Sequence, residues 1–253
     1  LEKISFINLV IFFQVILSTS SVYLFYKINN KIFNKNLSII NSFIFSFFPL
    51  NLYAAGQISS VSFQLFFSLL FLTYFIYICE KTNTKNIIIF SIASGILILT
   101  RGEFILIFIL SMFCILFFKK INFRSLIKII LIVLLVISPY IIRNYLTFNQ
   151  IIIVKSLGFN LWKGNNQYSL TGGTSVSPPV SHDMPWENFD KPEYQPLKNK
   201  LENIKIDKFY EIKRDDIFLS EAIKNIKEDY SRYINLFFKK ILSFFFIDFN
   251  SKY

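Results

Sequence analysis

The chain has 253 residues, of which 53% are hydrophobic, 19% aromatic and only 17% charged. A soluble domain lies nearer about 45–50% apolar and about 25% charged. The excess is gathered into long runs within the first 145 residues, which excludes an ordinary soluble domain in favour of a bilayer protein, and the net charge of +11 sits largely in short loops between those runs, where membrane topology accounts for it better than a nucleic-acid groove does.

Six apolar segments follow in order: 4–26, 37–53, 61–79, 87–100, 104–118 and 126–142. Each reads as a helix, and four are long enough, or nearly so, for a hydrocarbon core that takes about 20 residues. The two segments flanking Thr100-Arg101-Gly102-Glu103 are short. Either they are tilted and flanked by protein, or they form a hairpin that stops in a water-filled cavity; both cases put Arg101 and Glu103 beside a polar pocket.

The loops orient the segments. Lys27, Lys31 and Lys35 lie in the first, Lys81 and Lys85 in the third, and Lys119, Lys120, Arg124 and Lys128 in the fifth, while the alternate connections contribute only Arg101. By the positive-inside rule the Lys-rich loops are cytoplasmic. Arg101, Arg143 and everything after it then lie outside.

The sixth segment carries Pro139 and ends in Arg143-Asn144, where a membrane helix is expected to break. Residues 1–145 thus read as a transmembrane helical region and 146–216 as an extracytoplasmic loop-rich segment. That segment includes a short β-prone run, Ile151-Ile152-Ile153-Val154, with Gly172-Gly173 and Pro178-Pro179 beyond it. From Ile217 a three- and four-residue apolar period returns, so 217–253 reads as an amphipathic helix re-entering the membrane, with Asp215 and Asp216 at its start. The expected class is an all-α multi-pass membrane protein. The chain starts at Leu1, directly before an apolar run, and ends at Tyr253 soon after another begins, so it reads as an internal piece of a longer protein.

Ionised groups at membrane depth are costly and therefore functional candidates. Arg101, Glu103 and Arg143 qualify, and two guanidinium forks with a carboxylate suit a phosphate or pyrophosphate. The alternative is that Arg101 and Glu103 pair with each other or reach for the interface. Next to Arg143-Asn144, the stretch Asn160–Asn166 offers Asn160, Asn165 and Asn166 beside Trp162, amides for hydroxyls and an indole for a sugar face. An interfacial Trp anchor followed by a Gly-Asn turn explains the same residues. Cys79 and Cys114 read as packing residues and the single histidine, His182, as a loop residue. No cofactor is called for with certainty; a divalent metal stays open, with no ligand set visible and no metal site assigned.

Pro139…Arg143-Asn144 followed by Gly158-Phe159-Asn160-Leu161-Trp162-Lys163-Gly164-Asn165-Asn166 resembles the P-x-x-x-R-N…G-x-N-L-W-x-G-N-N pattern of bacterial membrane glycosyltransferases. These are the dolichyl-phosphate-mannose-protein mannosyltransferase-like enzymes of the GT-C superfamily. Leu97–Glu103 is similar to their L-x-x-L-T-R-P-E segment, with Gly102 in place of the proline, and Glu211–Ser251 resembles their downstream Lys-rich return to the membrane. The resemblance implies a GT-C-like helical bundle in the bacterial cytoplasmic (inner) membrane. It also implies inverting transfer of a hexosyl or pentosyl group from a polyprenyl-phosphate sugar donor to a glycan, lipid or protein acceptor on the outer face, among membrane lipids and without nucleic acid. The family's catalytic carboxylate lies in its first outside loop, which is expected before Leu1; where members often carry a further acidic residue, this chain has Gln57, Ser59 and Ser60. Arg101, Glu103, Arg143, Asn144, Asn160, Trp162, Asn165 and Asn166 are the implied substrate-binding residues. The rival class is a non-enzymatic flippase or transporter of lipid-linked sugars, which inverted repeats and helices broken in matching halves would favour.

Overall fold

All six apolar segments are helical in the computed structural model, which describes residues 2–118, 120–167, 169, 170, 173, 174 and 192–245. The chain divides into two units, Leu1–Thr147 and Phe148–Tyr253. The first holds α1 (Glu2–Ile32), α2 (Lys35–Ser46), α3 (Pro49–Gly56), α4 (Val61–Glu80), α5 (Thr84–Thr100), α6 (Phe104–Phe117) and α7 (Phe123–Phe148), which runs to its edge. Among the described residues three helices are long and apolar enough to cross a membrane: α1 over Phe6–Ile32, α4 and α7. A fourth span results if α2 and α3, bent by 50°, count as one. The protein is a multi-pass helical membrane protein.

The second apolar segment is therefore two helices where one was expected. Pro49 has no amide to donate and sits in the first turn of α3, so the helix ends before it at Phe47-Phe48. Pro139 acts differently. The expected break does not occur, and α7 continues from Phe123 to Phe148. The proline leaves the Leu135 carbonyl without its helical donor, and the Ser138 hydroxyl donates to that oxygen at 3.0 Å. Hydroxyls elsewhere use the same device: Ser21, Ser42, Thr73, Ser91 and Ser94 each donate to the carbonyl four residues earlier at 2.7–2.8 Å, which hides a polar group inside an apolar helix.

The short helix α5 proves to be flanked by protein. Nine of its residues are buried, from Asn86 to Ile98, and the Phe90 ring lies 4.9 Å from that of Phe71 on α4. A Cβ on Gly95 would come within 2.7 Å of Val136 on α7, so the small residue sets how closely these two helices approach. By contrast α6 turns Leu106, Leu110, Phe113 and Phe117 outward at 63–68% exposure, a surface suited to lipid.

The Lys-rich connections are joined by bonds. Lys31 pairs with Glu80 at 2.7 Å, linking the ends of α1 and α4, and the Thr82 hydroxyl donates to the Lys120 carbonyl at 2.7 Å, linking the α4–α5 and α6–α7 loops.

The second unit contains α8 (Leu157–Gly164), a two-residue antiparallel pair β1 (Ser169–Leu170) and β2 (Gly173–Thr174), a 3-10 turn at Pro192–Tyr194, α9 (Gln195–Glu202), α10 (Tyr210–Glu228) and α11 (Tyr230–Phe245). One expectation is corrected here. Residues 151–156 carry no regular structure, because no strand stands beside the β-prone run to pair with it among the described residues. Within the segment expected to be loop-rich lie α8, α9 and the start of α10, each covering no more than eight residues there, too few to show a full apolar period. Pro178-Pro179 and His182 lie outside the described residues.

Candidate functional site

The α5–α6 turn is built from helix ends. The Arg101 amide closes α5 by donating to the Leu97 carbonyl at 2.9 Å, and the Glu103 carbonyl accepts from Leu106 at 3.1 Å as α6 begins. Both side chains are exposed, and neither forms an ion pair or a side-chain hydrogen bond among the described residues. The mutual pairing that the sequence allowed is not made. A Cβ at Gly102 would meet nothing within 4 Å, so the turn is open on that side.

At the far end of α7 the Arg143 guanidinium donates to the Asn144 side-chain oxygen at 2.8 Å. Asn144 is 3% exposed while Arg143 is exposed. A buried amide thus anchors an exposed cation, and an anchored guanidinium loses less freedom on meeting an anion.

In the second unit the residues from Gly158 to Asn166 form a helix and its cap, where an open loop was expected. Gly158 and Phe159 donate their amides to the Asp215 carboxylate at 3.1 and 2.8 Å, so an acid from α10 caps the start of α8. Asp215 is 4% exposed, five residues inside α10 rather than at its start. The neighbouring Asp216 pairs with Lys155 at 2.6 Å. A little upstream, the Lys213 ammonium and the Phe209 amide beside Asp207 hold that carboxyl below its usual range.

Trp162 is fully buried, its ring 5.2 Å from Phe218 and 5.8 Å from Tyr194, in a core with Leu197, Leu201 and Ala222. Asn166 is equally buried. Its amide nitrogen donates to the carbonyls of Trp162 and Lys163 at 3.2 and 3.4 Å, and its oxygen accepts from the Tyr194 hydroxyl at 3.2 Å. Both side chains are thus committed to holding α8 against its neighbours, and the indole is not presented as a plate. Asn165 donates to the Leu161 carbonyl at 2.8 Å and is half-buried, whereas Asn160 is exposed, with only a 3.5 Å contact to the Ser156 hydroxyl. These two remain accessible to a ligand. From α11, Lys240 donates to the Gly164 carbonyl at 2.5 Å, and Arg232 donates to that of Gln167.

Gln14 was missed by the sequence reading. It is 6% exposed in α1, and its amide donates to the carbonyls of Ala54, Gln57 and Ser59 at 3.4, 3.0 and 2.8 Å. The α3–α4 turn at Gln57–Ser59 is therefore tied down by an amide from the first helix. The signal was present: one carboxamide in the middle of an apolar run. Among the described residues, no group of three or more His, Cys, Asp or Glu side chains could hold a metal ion.

A family model of dolichyl-phosphate-mannose-protein mannosyltransferase matches residues 7–142, more than half of the chain. The chain belongs to this family. The match covers α1 to α6 and most of α7, including the Arg101 turn, and it stops one residue before Arg143. No curated protein and no solved structure matches the chain. Membership in the mannosyltransferase family carries a coarse chemistry: membrane-bound glycosyl transfer from a polyprenyl-phosphate sugar.

Proposed function

We propose that the protein transfers a glycosyl group from a polyprenyl-phosphate-linked sugar to a glycan, lipid or protein acceptor at the outer face of a bacterial cytoplasmic membrane. In this reading residues 1–145 form the membrane region, 146–216 lie outside, and the amphipathic stretch 217–253 returns to the bilayer surface. The observation that carries it is the family match over 7–142, which contains an exposed Arg101 and Glu103 without ion-pair partners among the described residues.

The chemistry is an inverting displacement. The acceptor oxygen bonds to the anomeric carbon as the bond from that carbon to the phosphate oxygen breaks. The phosphate leaves with the electron pair, and a carboxylate takes the acceptor's proton. Charge grows on the leaving phosphate, so cations already in place lower the barrier. Arg101 serves from the α5–α6 turn and Arg143 from the end of α7, with Asn144 as its positioning residue. Asn160 and Asn165 contact substrate hydroxyls, while Trp162 and Asn166 hold the helix that presents them. Glu103, two residues from Arg101, is the carboxylate offered to the acceptor or donor hydroxyls.

Transfer is measured with a radiolabelled polyprenyl-phosphate sugar in membranes containing the protein. Replacing Arg101 or Arg143 with Ala should lower the rate by about 100-fold, the cost of removing one transition-state charge donor, with membrane insertion unchanged. Wild-type rates in both variants would remove the arginines from the reaction.

A further inference from the structure

At the Lys-rich end of the first unit the α4–α5 and α6–α7 loops border an open cavity of about 450 Å³. Thr82, Thr84, Asn122, Ser125, Lys120 and Lys128 are among the residues that line it. The bond from Thr82 to the Lys120 carbonyl clasps the two loops, so the cavity is a built feature of the fold and not a gap between independent loops. No carboxylate lines it among the described residues. The acid nearest in sequence, Glu80, is taken up by Lys31. Lys120 and Lys128 have no ion pair among the described residues, and neither do Lys81, Lys85 and Arg124 in the same two connections.

We infer that this cavity binds a phosphate-bearing anion. Two lysines without ion pairs among the described residues, with the Thr84 and Ser125 hydroxyls and the Asn122 amide beside them, match the charge and hydrogen-bond demand of a phosphate. The Thr82 hydroxyl is spent on the clasp. The starts of α5 and α7 border the same cavity and add their partial positive charge; the Asn83 and Asn122 side-chain oxygens cap those starts by accepting from Asn86 and Ser125 at 2.8 and 2.9 Å, ordering the turns that shape it. Orienting a chain in a bilayer needs positive loops but not their convergence on a polar hollow. The phosphate can come from the headgroup of an anionic phospholipid or from solution. The cavity is separated from Arg101 by the 17 residues of α5, about 25 Å of helix. It is thus a site apart from glycosyl transfer, and either proposal can fail without the other.

The full chain is placed in phosphatidylcholine nanodiscs with and without phosphatidylglycerol, and retained anionic lipid is counted by native mass spectrometry. Each lysine near a charged headgroup accounts for about a fivefold change in affinity. Lys120→Gln with Lys128→Gln should therefore lower phosphatidylglycerol retention by about tenfold or more, while Lys27→Gln with Lys35→Gln, outside the cavity, should change it less than about twofold. Labelled inorganic phosphate is then offered to the protein in phosphatidylcholine discs alone. Binding that needs Lys120 and Lys128 assigns the site to soluble phosphate; retention of phosphatidylglycerol without phosphate binding assigns it to the headgroup. Equal losses in both double variants, or no loss in the cavity variant, would overturn the inference. Both lysines are exposed, so an unchanged thermal midpoint is expected to accompany the loss.

Discussion

Gly158 shows how one residue can decide a helix pair. A Cβ there would lie 2.0 Å from the Asp215 carbonyl oxygen and 2.8 Å from the Leu219 amide nitrogen, and neither is a side chain that can swing away. The same close approach lets the Gly158 and Phe159 amides reach the Asp215 carboxylate. Gly158→Ala should therefore cost about 3 kcal/mol, at the upper end of what overpacking imposes. The readout is the thermal midpoint followed by Trp162 fluorescence in a Trp186→Phe background, since expulsion of a fully buried indole into water reddens its emission. An unchanged midpoint would mean that α8 and α10 can separate at no cost. The residue types of this motif were legible in the sequence, but their duties were not. Trp162 and Asn166 stand at a spacing that suits a sugar site equally well. Only the partners from distant elements, Phe218, Tyr194 and Asp215, make them core and cap residues, and no local pattern announces such partners.

At the scale of elements the instructive pair is Pro49 and Pro139. Both interrupt an apolar run, yet a helix ends before the first and passes through the second. Ser138 precedes Pro139 and supplies a hydroxyl to the Leu135 carbonyl, whereas Phe48 precedes Pro49 and has nothing to offer. A double-mutant cycle separates the effects. Ser138→Ala should cost about 1 kcal/mol in the natural chain, because a carbonyl loses its donor. With Pro139→Ala restoring the amide, the same change should cost nearly nothing, and equal costs in both backgrounds would dismiss the hydroxyl's role. The six apolar runs were readable because burial in lipid demands length and greasiness and little else. The surroundings of α5 were not, since a helix apolar on every side has no period to reveal its neighbours. The polar helix starts were harder to read for the opposite reason: the first two turns of α10 carry Glu211, Lys213, Arg214, Asp215 and Asp216, and one of those acids is buried on another helix's amides.

For the whole molecule, the outer-face reading turns on which end of the first unit meets the cytoplasm. Its connections alternate, lysines at one end and the Arg101 turn at the other, and the bonds Lys31–Glu80 and Thr82–Lys120 tie the lysine-bearing connections to one another. Moving such an end across the membrane means carrying several cations through hydrocarbon, at about 2.5–3.5 kcal/mol for each at the bilayer centre, so one orientation is fixed at insertion. With Cys79 and Cys114 replaced by Ala, a thiol at Gly102 has open space around it, and one at Thr84 is exposed at the other end of α5. Gly102→Cys should react with a membrane-impermeant maleimide on intact cells, and Thr84→Cys only after permeabilisation. The reverse pattern would put Arg101 and Glu103 on the cytoplasmic side and remove the outer-face transfer reading with them. Reaction of both on intact cells would mean that α5 does not separate two aqueous faces. Glycosyl transfer could then survive only at a cavity open along the helix, because the polar turn would no longer lie at the membrane surface.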